Sequence, residues 1–248
     1  MTLTAVALAL AVGAAMGLFG GGGSLLLVPA LTSVMGFETK QAVATSLTVV
    51  GISAAVGAVA ARAKGTLPIR PAVIIGTTTM VGAFGGAFVC ARLDDAVQLN
   101  VFGVVALAAA VMVAWQSTWR SDAHARDGVA RPAALMAAAG IGVGVVTGLV
   151  GVGGGFLIVP ALVMAAGLEM REAASVSLFV MVLATASALA GYAGRVPLSW
   201  AFVLPFAAVA SIGTIGGGFV GDSMPQRLLQ QIFAGALVVV AAFVLMRG

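Results

Sequence analysis

Charged residues are scarce in this sequence. Only 8% of its 248 residues are Asp, Glu, Lys or Arg, whereas 61% are hydrophobic. A soluble domain carries roughly 25% charged residues, so a water-soluble fold of this composition is excluded. Several nearly charge-free segments of 17–21 residues are present, about the length that crosses a bilayer as a helix. The alternating segments of about 10 residues that a membrane β-barrel needs are absent.

Cysteine and histidine are almost missing, with one residue of each, Cys90 and His124. An intramolecular disulfide and a Cys/His metal cluster are therefore excluded, and no metal or cofactor is predicted. No charged residue or histidine falls inside a predicted spanning segment. Proton pumps and cation carriers usually need an intramembrane carboxylate, and an enzyme needs a catalytic set. The sequence therefore predicts no enzyme, and its neutral hydrogen-bond donors suit an anion.

The net charge of +4 is interpreted as a property of the loops of a membrane protein, with no nucleic-acid partner. The N-terminus lacks the basic region of a cleaved signal peptide. Residues from position 3 onward are therefore predicted to be a retained membrane segment.

One stretch occurs twice. Residues 17–31 read GLFGGGGSLLLVPAL and residues 148–162 read GLVGVGGGFLIVPAL, with 10 of 15 positions identical at an offset of 131. GAFGGAFV at 82–89 and GTIGGGFV at 213–220 match at the same offset. The duplication covers nearly the whole chain, as is usual in secondary transporters.

The sequence thus predicts an all-α polytopic membrane protein built from two homologous repeats. Repeat 1 comprises 1–116 and the second repeat comprises 133–248, joined by a polar linker at 117–132. Each repeat is predicted to hold a glycine-broken helix pair followed by three spanning helices. The predicted segments are 3–19, 24–35, 42–61, 71–91 and 96–116 in the first repeat, and 133–150, 156–166, 173–193, 198–220 and 228–245 in the second.

The repeats could be parallel or inverted, depending on whether the broken pair crosses the membrane once or enters and returns. Both arrangements place eight Lys and Arg residues on one face and four on the other, so the positive-inside rule does not choose between them. A 12-residue segment such as 24–35 forms a helix only about 18 Å long, little more than half the bilayer, which favours inversion. The linker at 117–132 lies on the positive face in either case and is predicted to be cytoplasmic.

The two glycine clusters, residues 20–23 and 151–155, are called here the first and second glycine knots. Neither is a nucleotide-binding P-loop, because the lysine of that motif is missing and no strand–helix unit surrounds it. Spaced glycines, as at 13 and 17, 140, 144 and 148, or 213, 217 and 221, are predicted to pack helices. Consecutive glycines cost helix stability, at roughly 1 kcal/mol each. They expose N–H groups beside helix N-termini, which attract anions, so the knots are predicted to approach each other and form a site.

Hydroxyl groups form the second candidate constellation. Ser46 and Ser177 occupy equivalent positions in the two repeats, and both a substrate donor and a structural role stay open for them. Thr45 precedes Ser46, whereas Val176 precedes Ser177, so a two-fold symmetric site would be imperfect. The candidate substrate-binding residues are Gly20, Gly21, Gly22, Gly23, Ser24, Thr45, Ser46, Gly151, Gly153, Gly154, Gly155, Ser175 and Ser177.

At these residues the chain resembles the sulfite exporter TauE/SafE family, the 4-toluene sulfonate uptake permease group. The features that carry the resemblance are the two knots followed by Val-Pro-Ala-Leu, the Gly-Phe/Leu-Glu turn with the serine segment after it, and the duplication. The resemblance implies transport of a small sulfur oxyanion or sulfonate, such as sulfite or sulfoacetate, across the bacterial inner membrane. It identifies the family and leaves the substrate open.

The function predicted is electrogenic export of such an anion, with no obligatory proton or sodium partner. The membrane potential alone can drive it, at about 2.3 kcal/mol per charge per 100 mV. A sulfonate uptake permease and an anion channel stay open as alternatives. Outside transport, a membrane scaffold or assembly factor stays open, although a scaffold would not need two costly knots. The oligomeric state is also open, with a homodimer as one option.

Overall fold

The computed structural model describes residues 3–21, 23–90, 132–150, 155–192 and 198–225, with a few single positions beyond these ranges. Eight α-helices occur in this part of the chain, and it contains no β-strand. The helices are α1 Leu3–Phe19, α2 Ser24–Ser33, α3 Thr39–Ala63, α4 Ile69–Cys90, α5 Ala133–Val150, α6 Gly155–Ala161, α7 Met170–Tyr192 and α8 Trp200–Ser223, and a π-helical turn, Leu162–Ala166, continues α6.

Four of these helices, α3, α4, α7 and α8, are long and apolar enough to cross a membrane. Their charged residues lie only in the first or last turn. The polytopic all-α prediction is therefore confirmed for the described residues. The predicted segments 96–116 and 228–245 and nearly all of the linker lie outside them.

The predicted helix bounds are close but need correction at several ends. α3 begins at Thr39, three residues before the predicted start, because Lys40 and Gln41 continue the helix instead of forming a turn. α7 likewise begins at Met170. α8 continues to Ser223, three residues past the predicted end, and Gly221 in this added turn lies against Leu18 of α1. The predicted loop 194–197 lies outside the described residues.

Glycines hold two pairs of helices in close parallel contact. A Cβ atom on Gly13 of α1 would overlap the backbone of Ala210 in α8, and one on Gly17 would lie 2.6 Å from the backbone nitrogen of Gly218. The contacting positions increase in number together along α1 and α8, so the two helices run in the same direction. Removing side chains lets backbones approach this closely, which is how small residues drive helix association in membranes.

The same contact recurs between α4 and α5. A Cβ atom on Gly144 would overlap the backbone of Thr79 and lie 2.9 Å from the backbone nitrogen of Ala83, and one on Gly148 would lie 2.5 Å from the backbone nitrogen of Ala87. α4 and α5 therefore also run in the same direction. Gly144 and Gly148 correspond to Gly13 and Gly17 at the offset of 131 that relates the two repeated stretches.

α3 and α7 form the centre of the fold and run in opposite directions. Gly51 faces Thr185, whereas Gly57, six residues later, faces Leu178, seven residues earlier. The buried apolar core is built around these two helices, with residues such as Val49, Val50 and Val180 fully enclosed. The end of α3, the start of α4, the start of α7 and the end of α8 consequently lie on one face, which we call face A. Since α5 is parallel to α4, its start at Ala133 lies on face A too.

Candidate functional site

The first glycine knot turns the chain between α1 and α2. Gly20 and Gly21 have φ angles of +65° and +109°, a region that costs an L-amino acid with a side chain roughly 1–2 kcal/mol. The N–H of Gly21 donates to the carbonyl of Met16, and both the N–H and the hydroxyl of Ser24 donate to the carbonyl of Gly21. Two of the amides in this region are therefore engaged within the turn itself.

Close packing gives the knot glycines a second role. A Cβ atom on Gly20 would overlap Ala174, one on Gly21 would overlap the Met181 sulfur, and both partners belong to α7. A Cβ atom on Gly23 would overlap the backbone of α1. The first knot is thus wedged between α1 and α7, and its glycines are needed for this approach.

The two knots meet where the structure describes them. A Cβ atom on Gly21 would lie 3.0 Å from the Cα of Gly155, and one on Gly155 would lie 2.7 Å from the Cα of Gly21. Gly155 is the last glycine of the second knot and the first residue of α6. The prediction that the knots approach each other is confirmed for this pair. Gly22, Gly151, Gly153 and Gly154 lie outside the described residues.

The paired serines have different surroundings. Ser177 is buried, and its hydroxyl reaches the carbonyls of Gly20 and Ala174, so it ties α7 to the first knot. Ser46 is fully buried and its hydroxyl has no hydrogen-bond partner among the described residues. Thr45 beside it is also buried. An unpartnered buried hydroxyl is costly, so Ser46 keeps a donor available.

A cavity of about 350 Å³ opens at face A, directly behind the first knot. Gly17 and Leu18 of α1, Gly57 of α3 and Ala174 of α7 belong to its wall. Ala174 is the residue against which Gly20 packs. At about 30 Å³ per water molecule, the cavity is large enough for a small anion together with several waters.

Polar groups concentrate at the face A end of this cavity. Lys64 and Arg171 contribute two cations, and Asp222 contributes one carboxylate. The hydroxyls of Thr66 and Ser175 lie 3.0 Å apart and hydrogen-bond to each other. Arg171 donates to the carbonyl of Met224 at 3.0 Å, which holds its guanidinium near the end of α8. The arrangement combines neutral donors with an excess of positive charge, the chemistry that an anion needs.

Sequence reasoning found only part of this cavity. Ser175 is one of the predicted site residues and lines the cavity. Lys64, Thr66 and Arg171 fall between predicted segments, so the sequence does not predict them as site residues. Lys64 and Arg171 are 107 positions apart along the chain. Only the arrangement of the helices brings the loop after α3 against the start of α7, so that both residues line one cavity. The charge count by face could not have found them, because it is the same for parallel and inverted repeats, and Lys64 and Arg171 share a face only in the inverted arrangement.

Comparison with known proteins also indicates a membrane transporter. The sequence model of the family described as "Sulfite exporter TauE/SafE" matches residues 5–244. A "probable membrane transporter protein" of Xylella fastidiosa (strain Temecula1) is 31% identical over 245 residues, covering 96% of this chain and 92% of the relative. A second protein described as a probable membrane transporter, from Methanocaldococcus jannaschii, is 27% identical over 244 residues, covering 92% of this chain and 90% of the relative. No solved structure matches this chain. The chain therefore belongs to the TauE/SafE family of membrane transporters.

Proposed function

We propose that the protein exports a small sulfur-containing oxyanion, sulfite or an organosulfonate such as sulfoacetate, and that the cavity at face A is where the anion enters. The observation that carries the proposal is the pair of cations, Lys64 and Arg171, lining one cavity in a protein whose described helices hold no charge between their end turns. A cation costs little at the membrane surface and is expensive at depth. Two of them at a cavity mouth attract anions and exclude cations.

We further propose that face A is cytoplasmic. α5 begins on this face, so the linker that precedes it reaches the same side, and the linker carries Arg120, Arg126 and Arg131. Basic loops mark the cytoplasmic side. The potential of a bacterial inner membrane, negative inside, would then drive an anion from this cavity outward, at about 2.3 kcal/mol per charge per 100 mV.

The substrate path continues, in this proposal, from the cavity to the knots. Ala174 lines the cavity and lies against Gly20, and Gly21, the next residue of the knot, touches Gly155. A short shift of α7 against the first knot would open the cavity to the knot amides. The hydroxyl of Ser46, which has no hydrogen-bond partner among the described residues, is a further donor proposed for the anion. The predicted knot and hydroxyl residues therefore stay the proposed binding residues, and Ser175 is the first one that an entering anion meets.

Alternating access by two inverted repeats is the mechanism that we propose for this path. Three observations support it: α2 and α6, α3 and α7, and α4 and α8 each begin at the same offset of 131 along the chain; α3 and α7 run in opposite directions; and Lys64 and Arg171 share one cavity. A parallel arrangement would put these two cations on opposite faces. Inverted repeats give the same chain two equivalent conformations, each open to one side.

Anion flux in proteoliposomes tests the function. The purified protein is reconstituted, the potential is clamped with a potassium gradient and valinomycin, and sulfite, sulfate, sulfoacetate and taurine are compared at equal pH on both sides. Flux of at least one of the three anions should follow the imposed voltage. Zwitterionic taurine should respond weakly to voltage.

The control is Gly216→Ala, because no atom lies within 4 Å of a Cβ atom built there; it should transport like the wild type. Arg171→Gln should reduce the flux. Folded wild-type protein that moves none of the anions would refute the proposal and favour a scaffold. Flux that ignores voltage and follows a pH gradient would refute the electrogenic mechanism alone. Rates above about 10⁶ ions per second, beyond the turnover of carriers limited by microsecond-to-millisecond conformational steps, would indicate a channel.

A further inference from the structure

Lys64 already has two partners at the mouth of the cavity, and both come from α8. Its ammonium nitrogen lies 2.5 Å from Oδ2 of Asp222 and 4.0 Å from the centre of the Phe219 ring. Lys64 is also the C-terminal cap of α3, where a cation is favoured by the helix dipole. All three side chains line the cavity. An anion that enters therefore meets a cation that is paired with a carboxylate of the protein.

This ion pair is not buried. The side chain of Lys64 is 30% exposed and that of Asp222 is 48% exposed, and solvent-exposed pairs of this kind contribute little to stability. The pair is therefore poorly explained as a means of holding the fold together. Water reaches both partners, so the carboxylate can leave Lys64 and return without unfolding anything.

We propose that Asp222 is a tethered competitor for the substrate: the entering anion replaces the Asp222 carboxylate beside Lys64, and the returning carboxylate expels the anion. The proposal rests on the function proposed above, since it needs an anion in this cavity. A tethered group acts at an effective concentration in the millimolar range, so the free anion must exceed that competition to bind. Asp222 would thus set the affinity of the cavity and keep the substrate from being trapped.

The charges of the wall support this role. Among the described residues, Lys64, Arg171 and Asp222 are the charged side chains of the cavity, and they leave it with one net positive charge. Removing the carboxylate would leave two cations facing an incoming anion. Phe219 keeps Lys64 in place meanwhile, because an aromatic face attracts an ammonium group within about 6 Å.

The first experiment measures the concentration dependence of sulfite flux in the full chain. Asp222→Asn should lower the half-saturating concentration about tenfold, the size expected for one unit charge a few ångströms away in a partly hydrated site. Lys64→Gln should raise it. In a Lys64→Gln background, adding Asp222→Asn should lower the half-saturating concentration much less than Asp222→Asn does in the wild type, because Asp222 acts through Lys64. A half-saturating concentration that is unchanged or higher in Asp222→Asn would contradict the proposal.

A second experiment does not depend on transport. Ala60 lies one helical turn before Lys64 and lines the same cavity, so Ala60→Cys is made as a reporter in a Cys90→Ala background. The labelling rates of an anionic and a cationic methanethiosulfonate reagent are compared. Asp222→Asn should raise the anionic-to-cationic ratio several-fold, and Lys64→Gln should lower it. An unchanged ratio would overturn the proposal. A changed ratio in a protein without anion flux would refute the proposed function and, with it, competition for a substrate, and would leave only the electrostatic effect of Asp222 on the cavity.

Discussion

Replacing Gly21 by alanine is expected to destabilise the protein by about 2–6 kcal/mol. Gly21 has a φ of +109°, and holding a residue with a side chain in such a conformation costs of order 1–3 kcal/mol. The new methyl group would also overlap the sulfur of Met181 and press on Gly155. Overpacking of this kind typically costs 1–3 kcal/mol. The two terms are independent, because one is a property of the local backbone and the other of α7 and α6.

The assay is equilibrium unfolding in mixed SDS and dodecyl maltoside micelles, followed by the helical circular dichroism signal. Gly216→Ala is the matched control, since it is a glycine within a helix with open space around its Cβ position. Relief of the glycine entropy penalty should stabilise that variant by about 0.5–1 kcal/mol. The two substitutions should therefore move the free energy of unfolding in opposite directions.

A double-mutant cycle separates the two terms. Met181→Ala removes the overlapping sulfur but creates a cavity, which alone costs about 2–5 kcal/mol. The combined variant Gly21→Ala/Met181→Ala should be less destabilised than the sum of its parts by about 0.5–3 kcal/mol, the usual coupling of residues in contact. If Gly21→Ala unfolds like Gly216→Ala, or if the cycle is additive, the first knot is not wedged against α7 and the reasoning fails.

Two other substitution pairs test the same architecture. Gly13→Leu and Gly144→Leu should each separate one of the two parallel helix pairs and lower the free energy of unfolding by similar amounts, at least about 2 kcal/mol. The controls are Gly85→Leu and Gly216→Leu, at exposed positions with open space around the Cβ position. A Gly144→Leu variant as stable as the wild type would contradict the close α4–α5 contact. Ser177→Ala should cost about 1 kcal/mol of stability for the lost bond to the knot. Ser46→Ala should keep or raise stability, because it removes a costly unpartnered hydroxyl, and it should weaken substrate affinity. Loss of stability in Ser46→Ala with unchanged flux would show that its hydroxyl is structural.

The helices were predictable because each carries its own signal. Apolar length identified α3, α4, α7 and α8, and the glycine clusters marked where α1 and α5 end. The ends were less predictable, since polar residues such as Lys40 and Gln41 continue a helix as readily as they form a loop. The spaced glycines at 13, 17, 144 and 148 were correctly predicted to pack helices, although their partners could not be named from periodicity alone.

The cavity could not be predicted in the same way. A glycine stripe predicts that some backbone approaches, but the identity of the partner depends on which helices run side by side. Lys64, Arg171 and Asp222 come from three different segments of the chain, and no spacing rule connects them. Ser177 illustrates the same limit, because its position leaves both a substrate donor and a structural role open, and only the contact with the Gly20 carbonyl indicates that it holds the first knot to α7.

The proposed two-fold relation has a consequence for direction. At an offset of 131, Ser175 and Thr214 of the cavity correspond to Ala44 and Ala83, and Asp222 corresponds to Ala91. A cavity formed on the opposite face would therefore have alanine at these three positions. Such a difference changes how fast each face loads and releases the anion, yet it cannot set the direction of net movement, because a carrier without a coupled ion only lets the anion follow its own electrochemical gradient. With face A cytoplasmic and the membrane negative inside, that gradient favours export by about 2.3 kcal/mol per charge per 100 mV. In this proposal the difference between the two faces affects the rate of transport. Weak binding on the cytoplasmic side, where Asp222 competes with the anion, suits a substrate that is released onward rather than retained.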